Sequence, residues 1–213
     1  MSAADASELE FDATVVGLSR SGVVLDDTRF DPSNPRRDSD VGTLNKVLVR
    51  HAELLFDGTV LHRPDEPSDV ERFHLGQRVN GAVDSRNRVT MMHLDTAAHL
   101  AYFGFLTAVA PAKREHRHVS ATRSLVQISD VGRTPATTAE IAAALTSWIT
   151  AVIADDLPIV TTMNHRRCWH IDGIGTTTCS GSHPLRTGEL SLVDVAAEAV
   201  GPALLDLTVE LSG

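Results

Sequence analysis

The sequence has few cysteines and no long apolar run. Cys168 and Cys179 are its only cysteines in 213 residues, and two are too few for a disulfide framework. The first residues lack the basic and apolar regions of a secretory signal, and no apolar stretch approaches the ~18 residues that a membrane span needs. We therefore expect a cytoplasmic protein that works without a membrane.

An excess of positive charge is also absent. The net charge of −9 argues against long-range, sequence-independent attraction to nucleic acid. Local basic runs are still candidates for such a contact, although a run of this kind is commonly just a solvated face. They are Arg36 with Arg37, then Lys113, Arg114 and Arg117 with His116 and His118, and finally Arg166 with Arg167.

The hydrophobic pattern indicates two domains. Residues 11–83 carry short apolar runs separated by turn residues, such as 13–18, 23–25 and 76–83, which predicts a β-rich domain. The pair Asp57-Gly58 predicts a two-residue hairpin turn, in which both positions adopt positive φ. Residues 1–10 are predicted to be a disordered tail, and the boundary between the domains is placed between residues 78 and 88.

Residues 84–213 predict an α+β domain. A helical stretch covers 89–109, and a second helix begins near Thr137, which has capping-box spacing to Glu140. Strands are predicted at 119–128, 159–162, 168–174 and 204–211. The second helix presents one apolar face, which predicts core packing against a sheet and is formed by Ile141, Leu145, Trp148, Ile149, Val152 and Ile153.

Two pairs of residues four apart could carry chemistry. Asp95 and His99 lie on one face of the first predicted helix. Cys179 and His183 are separated by Gly181, which favours a tight turn. The four side chains offer a carboxylate, two imidazoles and a thiolate, a set suited to tetrahedral zinc. The simpler alternative is a hydrogen-bonded histidine and a small buried cysteine.

Three segments resemble one family in order and spacing. Residues 86–100 (RNRVTMMHLDTAAHL), 179–190 (CSGSHPLRTGEL) and 28–42 (TRFDPSNPRRDSDVG) are similar to the motifs of the editing domains of alanyl- and threonyl-tRNA synthetases and their free-standing relatives. The resemblance implies a barrel-like β domain followed by an editing-type domain with helices packed on an antiparallel sheet. It also implies a Zn²⁺ cofactor and an aminoacyl-tRNA substrate, most simply seryl-tRNA.

The departures from the family motifs concern one ligand and one loop. Asp95 stands where the family has its first histidine ligand, so it either completes the ligand set of His99, Cys179 and His183 or acts as a base beside an open metal position. His93 stands where the family often has arginine, and we expect it on the helix surface or facing tRNA.

The loop at 34–37 has lost the glycines of the family. Arg36 and Arg37 there could bind phosphate, unless the loop is a plain surface loop. Lys113 and Arg114 are further candidates for tRNA binding.

Three further residues are candidates for binding the aminoacyl group. The hydroxyls of Thr96 and Ser182 could face it, and such contacts discriminate a seryl from an alanyl ester. Their alternatives are a bond to the helix backbone and a bond within the turn. Backbone donors around Gly181 could stabilise an oxyanion.

The expected activity is cleavage of the ester of an aminoacyl-tRNA. In the first form, zinc-activated water hydrolyses mischarged seryl-tRNA. In the second, a small amine or hydroxylamine accepts the aminoacyl group, as in natural-product biosynthesis. A third reading is a non-catalytic module that only binds tRNA.

Overall fold

The chain divides into two compact units, one ending at Val89 and the other beginning at Thr90. The computed structural model describes residues 9–129, 136–179 and 181–212. Most of the predicted disordered tail, residues 1–8, lies outside the described residues. The last two tail residues are ordered, since Leu9 is buried and Glu10 begins the first strand.

The first unit is a closed antiparallel barrel with strand order β1-β2-β5-β4-β3-β6. The alternation of buried and exposed residues along β6 is typical of a strand with one face in a core. The β-rich, barrel-like prediction is thus confirmed. The strands are β1 (Glu10–Ser19), β2 (Gly22–Leu25), β3 (Gly42–Leu44), β4 (Val47–Leu54), β5 (Val60–Pro64) and β6 (Arg78–Val83), with a 3₁₀ helix at Pro67–Arg72.

The predicted hairpin is present, but its turn type is wrong. Asp57 and Gly58 do lie between β4 and β5, yet only Gly58 has positive φ, and the loop closes more widely through the bond from Leu55 N to Thr59 O of 2.8 Å. A turn with two consecutive positive φ values lies instead between β3 and β4, at Asn45 and Lys46. Lysine is uncommon at such a position, which is why the sequence did not reveal it.

The second unit combines helices with two antiparallel sheets. Its four-stranded sheet has the order β12-β13-β8-β7 and its three-stranded sheet the order β11-β10-β9, so the α+β class is confirmed. Helix α1 (Ser85–Ala108) continues into this unit, and none of the described helices is long and apolar enough to cross a membrane. The further elements are β7 (Lys113–Val119), β8 (Arg123–Ser129), α2 (Thr138–Ala154), β9 (Val160–Asn164), β10 (Arg166–Ile171), β11 (Gly175–Thr178), a 3₁₀ turn at Thr187–Glu189, β12 (Val193–Gly201) and β13 (Leu204–Leu211).

Several boundaries differ from the predicted ones. The single strand predicted at 119–128 is the end of β7, a turn and β8, because Ser120 closes the turn by donating its N–H to Arg123 O at 2.9 Å. The strand predicted at 168–174 ends at Ile171. Strands β11 and β12 were missed, whereas the capping box of Thr137 and Glu140 is confirmed.

The core of the second unit lies between the helices and the sheets. Four of the six predicted α2 residues are fully buried, and Trp148 and Ile153 pack against the same core. Helix α1 is buried almost continuously from Leu94 to Ala101, so polar residues in that stretch are enclosed by the protein. The members of this core from α1 are Ala97, Ala98, Leu100, Ala101 and Phe105.

Candidate metal centre

The second unit brings together one residue of α1 and two residues of the turn after β11. His99, Cys179 and His183 are all buried, and their potential ligand atoms lie within 4.8 Å of one another. His183 Nε2 and Cys179 Sγ lie 3.2 Å apart. The i, i+4 spacing in the sequence therefore indicated groups that the fold does place together.

The turn is shaped by hydrogen bonds around Cys179. Its N–H donates to Arg167 O at 3.0 Å, which continues the pairing of the sheet past β11. Gly181 donates its N–H to Cys179 Sγ at 3.3 Å. A Cβ at Gly181 would overlap the carboxylate of Asp95, so any other residue there would displace that carboxylate or the turn.

The end of the turn is anchored to the end of α2. Thr187 is buried and donates its hydroxyl to Val152 O at 2.7 Å, while its N–H donates to Leu157 O at 2.9 Å. Gly188 donates its N–H to a carboxylate oxygen of Asp156. The Thr-Gly-Glu part of the motif thus holds the loop that carries His183.

Thr96 orients the imidazole of His183. Its hydroxyl donates to Met92 O at 2.9 Å, so the same oxygen accepts the Nδ1–H of His183 at 2.8 Å. This leaves the lone pair of His183 Nε2 directed at the cluster. The pKa of His183 is lowered by burial first, and then by the nearby His99 and Arg117, which favours the neutral ring that a metal requires.

His99 lies between two guanidinium groups. Arg117 Nη1 is 3.1 Å from Nε2, and Arg114 Nη1 is 3.4 Å from Nδ1. Burial, together with the charge of Arg114, lowers the pKa of His99 to about 3. The ring also packs against Trp169, with centroids 5.1 Å apart. The imidazole is therefore neutral at physiological pH.

Asp95 forms an ion pair with Arg117 inside the cluster. The Asp95 carboxylate also lies 3.6 Å from Cys179 Sγ, through Oδ2. Arg117 Nη2 is 3.6 Å from the same sulfur. Arg117 thus contacts Asp95, His99 and Cys179 together, and all four side chains are buried.

Arg117 belongs to a basic run in the sequence, and its place in the cluster was not predicted. The one signal was its position two residues before the buried Val119 in β7, since alternate strand residues share a face.

The donor set fits a metal ion such as zinc. Two imidazoles and one thiolate are ligands of intermediate and soft character, which zinc prefers. Tetrahedral zinc keeps its nitrogen and sulfur ligands roughly 3.5 Å apart, close to the 3.2 Å between His183 and Cys179. The cluster of His99, Cys179 and His183 could therefore hold a metal ion.

A pocket of about 360 Å³ adjoins the cluster and has His183 in its wall. Thr161, Thr162 and Met163 from β9 form one side of it, and Arg167 from β10 contributes a positive charge. Its volume lies in the range of pockets that hold small ligands. A small group bound there would contact a residue of the cluster directly.

The remaining predicted binding residues of this unit differ in exposure. Ser182 is buried next to His183. Lys113 is exposed and pairs with Glu115 at 2.9 Å. Arg114 reaches inward, where it donates to Thr177 Oγ1 at 3.0 Å. His93 is partly buried, with Nδ1 3.2 Å from Ser191 Oγ.

The two predicted arginines of the first unit also differ. Arg36 is exposed. Arg37 is buried and pairs with Asp31 at 2.8 Å. Their loop is held by the buried Asp40, which accepts a hydrogen bond from Arg88 Nε at 2.8 Å and pairs with that guanidinium. Only Arg36 of the pair is freely presented to solvent.

The chain thus belongs to the class of α+β proteins. It combines a closed β-barrel unit with an α+β unit that contains a buried His-Cys-His cluster.

No family model matches the chain. The chain is similar to alanine–tRNA ligases: it is 24% identical over 216 residues to that of Methanothermobacter thermautotrophicus, covering 88% of the chain and 23% of the ligase. It is 26% identical over 223 residues to the alanine–tRNA ligase of Methanobrevibacter smithii, an alignment that covers 90% of the chain and 24% of the ligase.

A shorter alignment, with the alanine–tRNA ligase of Methanothrix thermoacetophila, is 38% identical over 98 residues, or 43% of the chain and 10% of the ligase. The longer alignments show that the chain spans about a quarter of the length of these curated relatives. The chain is thus similar to one part of alanine–tRNA ligases.

Proposed function

We propose that the chain cleaves the ester bond of an aminoacyl-tRNA, with mischarged seryl-tRNA as substrate and water as acceptor. The supporting observation is the buried cluster of His99, Cys179 and His183 beside a pocket of about 360 Å³. The similarity to alanine–tRNA ligases over nearly the whole chain supports tRNA as the carrier.

Zn²⁺ is the proposed cofactor, held by the three residues of the cluster. Zinc supplies Lewis acidity, which activates water and polarises an ester carbonyl. The protein's part is to keep each ligand in its binding form: Thr96 orients His183, and Gly181 donates to the sulfur of Cys179. Burial keeps both imidazoles neutral.

The aminoacyl group is proposed to enter the pocket beside His183. Since the hydroxyl of Thr96 is engaged by Met92 and His183, Ser182 is the better candidate to recognise a substrate hydroxyl. A site that bonds such a hydroxyl strongly disfavours the alanyl ester. Exposed Arg36 and Lys113 are the better candidates for tRNA phosphates, because Arg37 and Arg114 are engaged inside the protein.

The test is release of serine from seryl-tRNA by the zinc-loaded chain. We expect release that stops on chelation of the metal and is lost in Cys179→Ala. The matched control is Cys168→Ala, since Cys168 lies outside the cluster, and it should keep the activity. If the zinc-loaded protein releases no serine from any seryl-tRNA, the hydrolase proposal fails.

A second candidate is transfer of the aminoacyl group to an amine or hydroxylamine. It is favoured by the ion pair between Asp95 and Arg117, because a carboxylate paired with a guanidinium is a poor base for deprotonating water. Incubation of aminoacyl-tRNA with candidate amines, followed by mass spectrometry, would reveal an amide-linked or ester-linked product. If the protein binds no metal and forms neither product, the third reading, a module that only binds tRNA, takes the lead.

A further inference from the structure

Arg117 is placed where it affects metal binding directly. Its Nη1 lies 3.1 Å from Nε2 of His99, and its Nη2 lies 3.6 Å from Sγ of Cys179. The Sγ of Cys179 is the atom that this residue would offer to a metal, and Nε2 is one of the two nitrogens that His99 could offer. A neutral imidazole carries an in-plane lone pair on only one nitrogen, so an Nε2 that accepts from Arg117 cannot bind a metal ion at the same time.

Asp95 holds Arg117 in this position. The carboxylate and the guanidinium form a buried ion pair, and both side chains are less than one-tenth exposed. Separating such a pair leaves an uncompensated buried charge, which is strongly unfavourable. Asp95 is therefore retained by Arg117 and is not available as a ligand while the pair persists.

The charges of the cluster also favour an Asp95 that stays paired with Arg117 and does not bind the metal. A carboxylate and a thiolate bound to one divalent ion would cancel its charge, and a less positive centre polarises its ligands less. The guanidinium of Arg117 adds one positive charge among these groups. The pair with Asp95 is neutral as a unit, so the Cys179 thiolate is the one negative charge left for the ion.

We propose that Arg117 sequesters Asp95 and competes with the metal ion for His99, so that the ion is bound by His99, Cys179 and His183 alone. Arg117 is thereby a positioning residue that sets the metal affinity of the cluster and the number of its protein ligands. The inference rests on the proposed metal centre, but not on the identity of the substrate.

Co²⁺ titration of the metal-free full chain tests this inference, because cobalt absorption reports both affinity and thiolate ligation. Arg117→Met should bind Co²⁺ at least tenfold more tightly than the unaltered chain, since it removes the competitor and frees Asp95. Adding Asp95→Asn to Arg117→Met should reverse at least part of that gain. Arg117→Lys, which keeps the charge, should stay within about threefold of the unaltered chain.

Arg117→Leu serves if the methionine variant does not fold, because a leucine also can neither donate to His99 nor pair with Asp95. Circular dichroism checks the fold of each variant. Equal or weaker Co²⁺ binding by the folded Met or Leu variant, or no binding by any variant, overturns the inference. Tighter binding without turnover of seryl-tRNA would support the role of Arg117 and count against the proposed activity alone.

Discussion

Thr96 and His183 are joined by a hydrogen bond of 2.8 Å between Oγ1 and Nδ1, although they lie 87 residues apart in the sequence. Because the Thr96 hydroxyl donates to Met92 O, it accepts the proton of His183. One threonine therefore sets the tautomer of one histidine of the cluster. Loss of a partner that hydrogen-bonds the second ring nitrogen of a metal-binding histidine commonly lowers metal affinity by roughly 10- to 100-fold.

The first prediction concerns this hydrogen bond. Thr96→Val keeps the shape of the side chain but removes the acceptor for His183, so we expect Co²⁺ affinity to fall about tenfold or more. Thr96→Ser retains the hydroxyl and should stay close to the unaltered chain. Parallel cobalt titrations of the two variants measure the difference, and equal affinities would show that Thr96 does not orient the ligand.

The second prediction separates the two cysteines. Cys179 is buried in the cluster, whereas Cys168 is partly exposed on β10. Binding of Co²⁺ should produce a sulfur-to-cobalt absorption band that disappears in Cys179→Ser and persists in Cys168→Ser. Loss of the band in the Cys168 variant instead would place the thiolate ligand outside the proposed cluster.

The third prediction concerns the space at Gly181. Gly181→Ala would place a methyl group against the Asp95 carboxylate, so the turn or the carboxylate must move. We expect Co²⁺ binding to weaken by about tenfold or more, an effect of the size seen when ligand support is lost. Gly201→Ala is the control, because a Cβ there meets only Leu204 at 3.4 Å. Unchanged cobalt affinity in the Gly181 variant would mean that the turn tolerates a side chain.

The fourth prediction concerns the pH dependence of the first unit. His62 is buried; its Nε2 is 2.8 Å from Thr28 Oγ1, its Nδ1 is 3.1 Å from Val23 O, and burial lowers its pKa to about 4. In the unfolded chain the pKa returns to about 6.5, so the unfolded state binds the extra proton first. The contribution of neutral His62 to the free energy of unfolding is fully present above pH 6.5. It is lost as the pH falls toward 4, by at most about 1.4 kcal/mol per pH unit.

Chemical denaturation of the full chain at several pH values checks this expectation. In His62→Gln the free energy of unfolding should depend less on pH between 6.5 and 4 than in the unaltered chain. Identical slopes for the two proteins would show that His62 is not buried in its neutral form.

Local spacing explains why much of the candidate site could be predicted. Asp95 and His99 share a helix face because of the 3.6-residue period, and Cys179 and His183 share a turn because Gly181 interrupts regular structure. The capping box at Thr137 and the apolar face of α2 are likewise properties of consecutive residues. The hairpin at Gly58 was located for the same reason, but its width depended on how β4 and β5 pair.

The contacts that the sequence did not reveal join residues that are far apart in the chain. Arg117 looked like one of several charges in a basic run. Thr96 looked like a contact for substrate or a residue bonded to its own helix backbone; the backbone bond is present, but the sequence did not reveal the contact with His183. Their roles follow from the packing of β7 and of the turn after β11 against α1. Trp169, fully buried against His99, belongs to the same group.

The sequence by itself determined the α+β class, the positions of the two pairs of candidate ligands and the resemblance of the motifs around them, because these depend on neighbours within a few residues. Only the tertiary structure decided that Asp95 meets a guanidinium and that Thr96 meets His183. The physical reason is that a buried carboxylate or hydroxyl must find a partner wherever the fold supplies one, and here the partners come from strand β7 and from the turn after β11.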